Sequence, residues 1–404
     1  MPYYQKNLLI LSFTVFLAAF SWNQVMPFLP LFLMDVGVTE NLPFWSGILF
    51  SAQFVATIVM GPFWGKMSDK YGRKLMVVRA GFFLVVIYIG MSVCQTFWQL
   101  LILRMLNGAL TGFIPGSIAL IATNTPQQIS GRYLSIIHSA SAFGAIIGPA
   151  LGGFLANLFG YRGSMVLSAI LVSSAMLMVY FLVEEREKPA PVEPTSIWQD
   201  YKLAFAMPVM FGAMLADFIN AIVNSSIQPV LALYINEAAP HASRTLSGLI
   251  FALPGLAMVL TAYSWSRLGE KITYQRSMLI ALIGVSISGI LLGFTHSVPA
   301  FALVYFIMGI FAAAVTPTAA ALVATKIDPQ FRGRAYGLQH AARTFGFFLA
   351  PLNAGIIGNS IGLNSAFLVM GASSLLLTLG LRVQMRSWGK DAAVTEGVTV
   401  KAAE

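Results

Sequence analysis

Charge is what this chain has least of. Asp, Glu, Lys and Arg together make up 10% of its 404 residues, against roughly a quarter in a soluble globular domain, which excludes a water-exposed fold of this size. Only one cysteine is present, Cys94, so no internal disulfide can form. Among apolar neighbours at a helix end it reads as a packing residue. There are four histidines, and no grouping of His, Cys and carboxylates has the spacing of a metal site. No glycine-rich phosphate-cradling loop occurs, which argues against nucleotide hydrolysis. No nucleophile paired with a base points to an enzyme, and nothing calls for a cofactor.

What fills the chain instead is apolar sequence: 57% of the residues are hydrophobic and the mean hydropathy is +0.78. The apolar residues fall in runs close to or beyond the roughly 20 needed to cross a ~30 Å hydrocarbon core. Only helices or closed barrels satisfy the backbone in lipid, and these runs are too long for barrel strands. The first half contains runs at 8–34, 44–66, 75–93, 97–121, 133–158 and 163–183. The second contains 204–236, 246–266, 276–295, 298–324, 335–358 and 364–386. The expectation is therefore an all-α membrane protein of twelve transmembrane helices. Its first run, preceded by Lys6, lacks a small-residue cleavage site and reads as helix 1 and not a removable signal.

The net charge of +9 comes from topology, not from nucleic-acid binding. With the amino terminus inside, twenty of the 24 Lys and Arg fall in cytoplasmic segments, Arg162 and Arg244 fall outside, and Arg104 and Arg343 lie within helices. This is the positive-inside pattern, and it places both termini in the cytoplasm. The longest polar interruption, Glu184 to Lys202, includes Glu187, Lys188, Pro189, Pro191 and Pro194, and reads as a cytoplasmic linker. The domains expected are a six-helix bundle over 1–183, a linker over 184–203, a second bundle over 204–388 and a cytoplasmic tail over 389–404.

The two halves repeat each other. At a shift of 202, Gly131-Arg132 matches Gly333-Arg334, His138 matches His340, Phe143-Gly144 matches Phe345-Gly346, Pro149 matches Pro351 and Gly153 matches Gly355. At a shift of 201, Ser46-Gly47 matches Ser247-Gly248 and Asn23 matches Asn224. Parallel repeats of this kind suit two bundles related by a pseudo-two-fold axis along the membrane normal, with a central site and alternating access.

Three motifs sit on this frame. The loop between helices 2 and 3 carries Gly65, Asp69, Gly72 and Arg73, with Lys70 and Lys74 beside them. Its second-half counterpart is degenerate, with Ser266 and Glu270 at matching positions. Helix 4 carries Arg104 with Gly108 and Gly112; a guanidinium there is either functional or snorkels to the outer surface. Helix 5 carries Gly144, Gly148, Pro149, Gly152 and Gly153, whose glycines four apart permit close packing on one face.

The loop, the helix 4 arginine and the Gly-Pro-x-x-Gly-Gly ending of helix 5 resemble the signature motifs of the major facilitator superfamily, in particular its twelve-helix drug:proton antiporters. Met-Pro-Phe-Leu-Pro-Leu at Met26 to Leu31 is similar to the start of helix 1 in that branch as well. The resemblance implies a proton-coupled exporter of small amphipathic compounds in a bacterial inner membrane, acting as a monomer among membrane lipids. It also implies that Asp69 clasps nearby bases and the amino end of helix 11 when the cytoplasmic side closes, an arrangement favoured by ~0.3–1 kcal/mol for a carboxylate at a helix start. Related sequences export siderophores, sugars or lipids, and a uniporter or facilitated importer remains a third reading.

Asp217 is the only acid deep inside a span. Ten residues beyond Met207, at ~1.5 Å each, it lies near the midplane, where an intramembrane acid is by default functional. Proton coupling is assigned to Asp217, with Arg343 as its expected partner, and to Arg104. Asn220, Asn224 and Gln228 continue a polar stripe along helix 7. With His340 on helix 11 and Trp22, Asn23 and Gln24 in helix 1, they are the candidate lining of a substrate cavity. Trp45, Trp64, Trp98 and Trp265, at span ends, read as interface anchors.

Overall fold

The computed structural model describes residues 2–186, 197–239, 243–328 and 331–385, and among them there are helices and no strand. Linker residues 187–196 and the tail beyond residue 385 lie outside the described residues, as do the charges and prolines expected there. Among the described residues, eleven helices are long and apolar enough to cross a membrane. One of them, α7 (Gln127–Leu182), has 56 residues. At ~1.5 Å per residue it is almost three times a bilayer core in length. Gly160, at φ 69° and ψ 179°, breaks it into two arms.

The arms run in opposite directions against α1 (Tyr3–Val25). Gly144, Gly148 and Gly152 of the first arm meet Phe16, Phe20 and Gln24 in ascending order. On the second arm, Ser164 and Ser168 meet Gln24 and Ser21, and Glu184 just beyond it meets Asn7, in descending order. The glycine face of the first arm thus lets the α1 backbone approach where any Cβ would collide. The fold therefore has twelve spans among the described residues, matching the apolar runs.

Proline and glycine explain the remaining breaks. Pro27 and Pro30 lack amide donors and clash with the preceding turn, so span 1 passes through a 3-10 turn at Met26–Phe28 into α2 (Leu29–Asp35). Spans 2 and 3 are α3 (Leu42–Tyr71) and α4 (Arg73–Val93), joined at Gly72 with φ 97°. Its second-half counterpart is Thr273 at φ 77°, a strained conformation for a β-branched residue. Span 4 is broken in the middle, into α5 (Phe97–Leu110) and α6 (Phe113–Thr123), although the sequence reads as one continuous run.

Residues 197–206, read from sequence as the end of the linker and the start of the next span, form a short separate helix, α8 (Ile197–Ala206). It stops at Met207, held extended (ψ 109°) by Pro208, which opens α9 (Pro208–Ala238). The rest of the second half is α10 (Arg244–Ile272), α11 (Tyr274–Leu292), α12 (Val298–Lys326), α13 (Arg332–Ile361) and α14 (Leu363–Met385).

Each half buries its own apolar core. Phe301, Phe367 and Tyr234 pack rings in the second half, and Leu29, Phe32, Leu49 and Tyr88 are fully buried in the first. Large apolar side chains such as Val59, Phe82, Leu376 and Val383 face outward, which in water would be a liability and in lipid is solvation. The repeat is visible in single bonds. Trp64 Nε1 donates to the Ala109 carbonyl at 2.6 Å, and Trp265 Nε1, 201 residues on, donates to Ile310 at 2.7 Å. These two tryptophans are therefore bonded inside the bundles, and the interface-anchor reading does not hold for them.

Candidate transport pathway and coupling site

Between the halves lies a cavity of about 840 Å³, entered from the side of the molecule that carries the linker. It falls in the range of pockets that enclose drug-sized molecules. Its first-half wall comes from α3, α4 and the broken span 4; α8, α9 and α13 supply the opposite wall. Trp64, Tyr201, Phe205, Phe211, Phe218 and Phe345 give it aromatic faces, while Thr57, Ser68, Thr111 and Thr344 contribute hydroxyls.

The break in span 4 shapes this wall. Thr111 is extended and Gly112 takes φ 136°, a region open to glycine and costly for other residues. Carbonyls freed at the end of α5 are taken up by α3: Thr57 Oγ1 donates to Gly108 at 3.2 Å and Trp64 Nε1 donates to Ala109. In the second half the corresponding positions are Ala312 and Ala313, and α12 runs through unbroken. Gly112→Ala is expected to destabilise the protein by about 1–2 kcal/mol. Gly61→Ala, on the same wall but in ordinary helix with open space beside it, should stay within about 0.5 kcal/mol. Denaturation in detergent compares the two.

Of the residues assigned to the cavity from sequence, His340 lies on its wall. Trp22, Asn23, Gln24, Asn220, Asn224 and Gln228 stand off the wall in this conformation. Gln24 is fully buried, donating to Ser168 and to the Ser164 carbonyl; Asn23 Nδ2 donates to Ala19 at 2.8 Å. Asn224 Nδ2 donates to the Asn220 side chain at 2.8 Å, so this part of the polar stripe bonds to itself.

Asp217 is 3% exposed, and its Oδ1 accepts a hydrogen bond from Thr316 Oγ1 of α12 at 2.8 Å. Its neighbours Met214 and Phe218 form cavity wall. Arg343 makes no salt bridge with it; the ion pairs among the described residues are elsewhere. Instead Arg343 Nη2 lies 2.9 Å from His340 Nδ1. Arginine has no acceptor, so Nδ1 is the unprotonated nitrogen in this pair. The expected Asp217–Arg343 pair is thus replaced by an Asp217–Thr316 and an Arg343–His340 pair.

Arg104 does not snorkel. It is 1% exposed, with no hydrogen-bond partner on any of its guanidinium nitrogens and with Trp22 and Phe50 rings within 5.6 Å. No carboxylate pairs with it among the described residues.

The side opposite the linker is shut by backbone contact between halves. A Cβ on Gly47 would strike Pro351 and Gly355; one on Gly248 would strike Pro149 and Gly153. The two crossings are related by the repeat. Arg244 Nη1 donates to the Ala156 carbonyl at 2.7 Å and Asn157 Nδ2 to Thr245 Oγ1 at 2.7 Å, which reinforces one of them. Ser51 Oγ donates to the Phe348 carbonyl at 2.7 Å and reinforces the other. On the linker side Asp69 is 61% exposed and its ion pair is with Arg73, 3.7 Å away in its own half. Among the described residues Asp69 makes no ion pair with the eleventh span, α13.

Sequence reading missed a strap formed by Glu184–Arg186. Glu185 accepts from the Arg73 and Lys74 amides at 2.7 and 3.0 Å, so it caps the start of α4. Asn7 Oδ1 holds the Glu184 amide and Asn124 Oδ1 the Arg186 amide. Arg186 donates to the Glu184 carboxylate and holds it below its usual titration range. The signal was a run of acids just past span 6, but nothing in sequence paired it with Gly72. Glu185→Ala should cost about 0.5–2 kcal/mol in stability, with Glu185→Gln recovering part of it.

Two repeated six-span halves around a cavity open at one membrane face and shut at the other define a multi-pass membrane transporter, not an enzyme. Residues 11–239 and 209–401 each match the family model described as Major Facilitator Superfamily. The chain belongs to this superfamily. It is 32% identical over 371 residues to the multidrug resistance protein MdtG of Salmonella schwarzengrund, covering 91% of this chain and 92% of that one. The protein of that name from Proteus mirabilis is 31% identical over 370 residues, covering 90% and 92%. Among solved structures, the nucleoside transporter NupG aligns with a TM-score of 0.79 at 13% identity, covering 95% and 100%. An inward-facing, occupied bacterial homologue of the human lysosomal transporter Spinster aligns at 0.78 with 15% identity, covering 97% and 98%. At such identities these two share the fold alone.

Proposed function

We propose that the protein exports small amphipathic compounds from the cytoplasm in exchange for protons, as a multidrug efflux pump. The observation that carries this reading is the position of Asp217: an acid buried in α9, bonded to one hydroxyl, immediately behind an aromatic cavity of drug size. The linker side is assigned to the cytoplasm from the basic residues gathered there, with both termini on it and the first and second bundles divided near residues 184–203. The structure is then the inward-open state of an alternating-access cycle. Protonation of Asp217 from outside releases substrate, and loss of that proton to the cytoplasm resets the pump. Relatedness to proteins named for multidrug resistance supports the substrate breadth, and the glycine-rich first arm of α7 supports export. Transport of several unrelated dyes into everted vesicles, with and without a proton gradient, tests it. Gradient-dependent uptake of more than one dye is expected. Uptake of a single endogenous sugar, lipid or siderophore would point to a dedicated exporter, and flux indifferent to the gradient to a uniporter.

A further inference from the structure

We infer that α8 is part of the substrate site: Tyr201 and Phe205 hold the aromatic portion of an amphipathic substrate at the linker-side mouth, and the Asp200–Arg334 ion pair positions them. The inference deepens the export reading by assigning substrate contacts to the linker helix, and depends on it only for the direction of movement. Tyr201 and Phe205 lie four residues apart on one face of α8, and both line the cavity. Their rings stack with centroids 6.4 Å apart, and Phe205 stands 5.6 Å from Phe211 in the first turn of α9. Deeper in, Phe218 stacks with Phe345 at 6.1 Å. Aromatic rings thus mark the second-half wall from the mouth to the residue next to Asp217. The first-half wall is slimmer, with Gly61, Gly65 and Gly112 on it. Phe205 remains 57% exposed. Uncovered apolar surface in a concave site is where the apolar part of a ligand is received.

Such a short helix does not hold its place unaided. Ten residues are marginal as an isolated helix, and the extended Met207 followed by Pro208 uncouples α8 from α9. Two contacts fix it, both to the second half. Ala204 is fully buried in the second-half core. Asp200, its side chain 14% exposed, accepts from Arg334 Nη1 at 2.9 Å. Arg334 lies in the first turn of α13, which carries bases and no acid, so a carboxylate brought from another element is favoured there. The Phe331 ring, 4.8 Å from the guanidinium centre, steadies Arg334. Asp200 and Ala204 each precede one of the two rings by a single residue. Docking that face of α8 onto the second half therefore turns Tyr201 and Phe205 toward the cavity.

Fluorescence anisotropy of ethidium, rhodamine 6G and fluorescein with the purified full chain in nanodiscs tests this without any gradient. At least one dye should bind the wild type, and Tyr201→Leu with Phe205→Leu should weaken it about tenfold. Leu203→Ala, two residues from each ring and so on the other side of the same helix, should stay within about twofold. Thermal unfolding in detergent reports whether each variant is folded; if the double variant is not, the two single substitutions decide. The positioning role is read separately, from the distance between spin labels at Gln199→Cys and Lys271→Cys in a Cys94→Ser background, both on the second half. The unsubstituted pair should give one narrow peak. Asp200→Asn should broaden it and weaken dye binding about threefold, and Asp200→Arg combined with Arg334→Asp should narrow it again. A wild type that binds none of the dyes would overturn the inference, as would ring variants that bind like wild type. So would an Asp200→Asn protein with an unchanged distance distribution. Failure of proton-driven export leaves these binding results standing, so the two readings fail separately.

Discussion

Asp217→Asn, reconstituted in proteoliposomes, should lose substrate accumulation driven by a pH gradient, falling to the level of protein-free vesicles, while downhill substrate exchange continues. The substitution is nearly isosteric, and the asparagine oxygen can still accept the 2.8 Å bond from Thr316. What disappears is the ability to bind and release a proton. Arg343 is occupied with His340 in this conformation, so the replacement orphans no salt bridge. A variant that folds, exchanges substrate and still accumulates it against a gradient would show that another group carries the proton. Arg104 is the other charged group fully buried within a span, but as a guanidinium that stays protonated it cannot itself be the carrier.

The second large effect concerns the closed side. Gly248→Leu should drive the protein out of the inward-open conformation. A Cβ at this position lands on the carbonyl of Pro149 and the backbone of Gly153, atoms that cannot rotate away. Overpacking of a tight contact costs about 1–3 kcal/mol, and each 1.4 kcal/mol moves a two-state equilibrium tenfold. Separating the halves on this side relieves the clash and shuts the cavity on the other. In a Cys94→Ser, Thr111→Cys background, labelling of the cavity cysteine by a membrane-impermeant maleimide from the linker side should slow about 10–100-fold. Gly380→Leu, at an exposed glycine with no neighbour within 4 Å, should leave labelling unchanged. Unaltered labelling in a folded Gly248→Leu protein would mean that these crossings do not form the gate.

Much of the architecture was legible in sequence because the bilayer imposes a length and the repeat imposes a symmetry. The twelve spans follow from apolar runs, and the repeat pairs Gly47 with Gly248 and Gly153 with Gly355, four glycines that the structure places where the halves approach most closely. The break at Thr111–Gly112 was not legible, since a glycine in an apolar run is equally at home in a continuous helix, and only the contacts from Thr57 and Trp64 show which carbonyls are released. The partners of charged groups were the least legible. Asp217 was found from its depth, but its choice of Thr316 over Arg343 depends on how α9, α12 and α13 pack. Arg79 was counted among the bases of the linker side; its place on the cavity wall depends on the angle at which α4 crosses Trp64. Glu185 was hidden for the same reason, because a cap that joins residues more than a hundred positions apart leaves no local pattern.

Proton movement caused by substrate alone tests the central claim most directly. Wild-type proteoliposomes are loaded with a transported dye and diluted into dye-free buffer, with equal pH on both sides and the membrane potential clamped. An internal pH indicator then reads the flux. If substrate is exchanged for protons, dye leaving should drive protons inward and acidify the lumen, and Asp217→Asn should abolish the signal. Dye efflux with no change in internal pH, or with alkalinisation, would contradict the account.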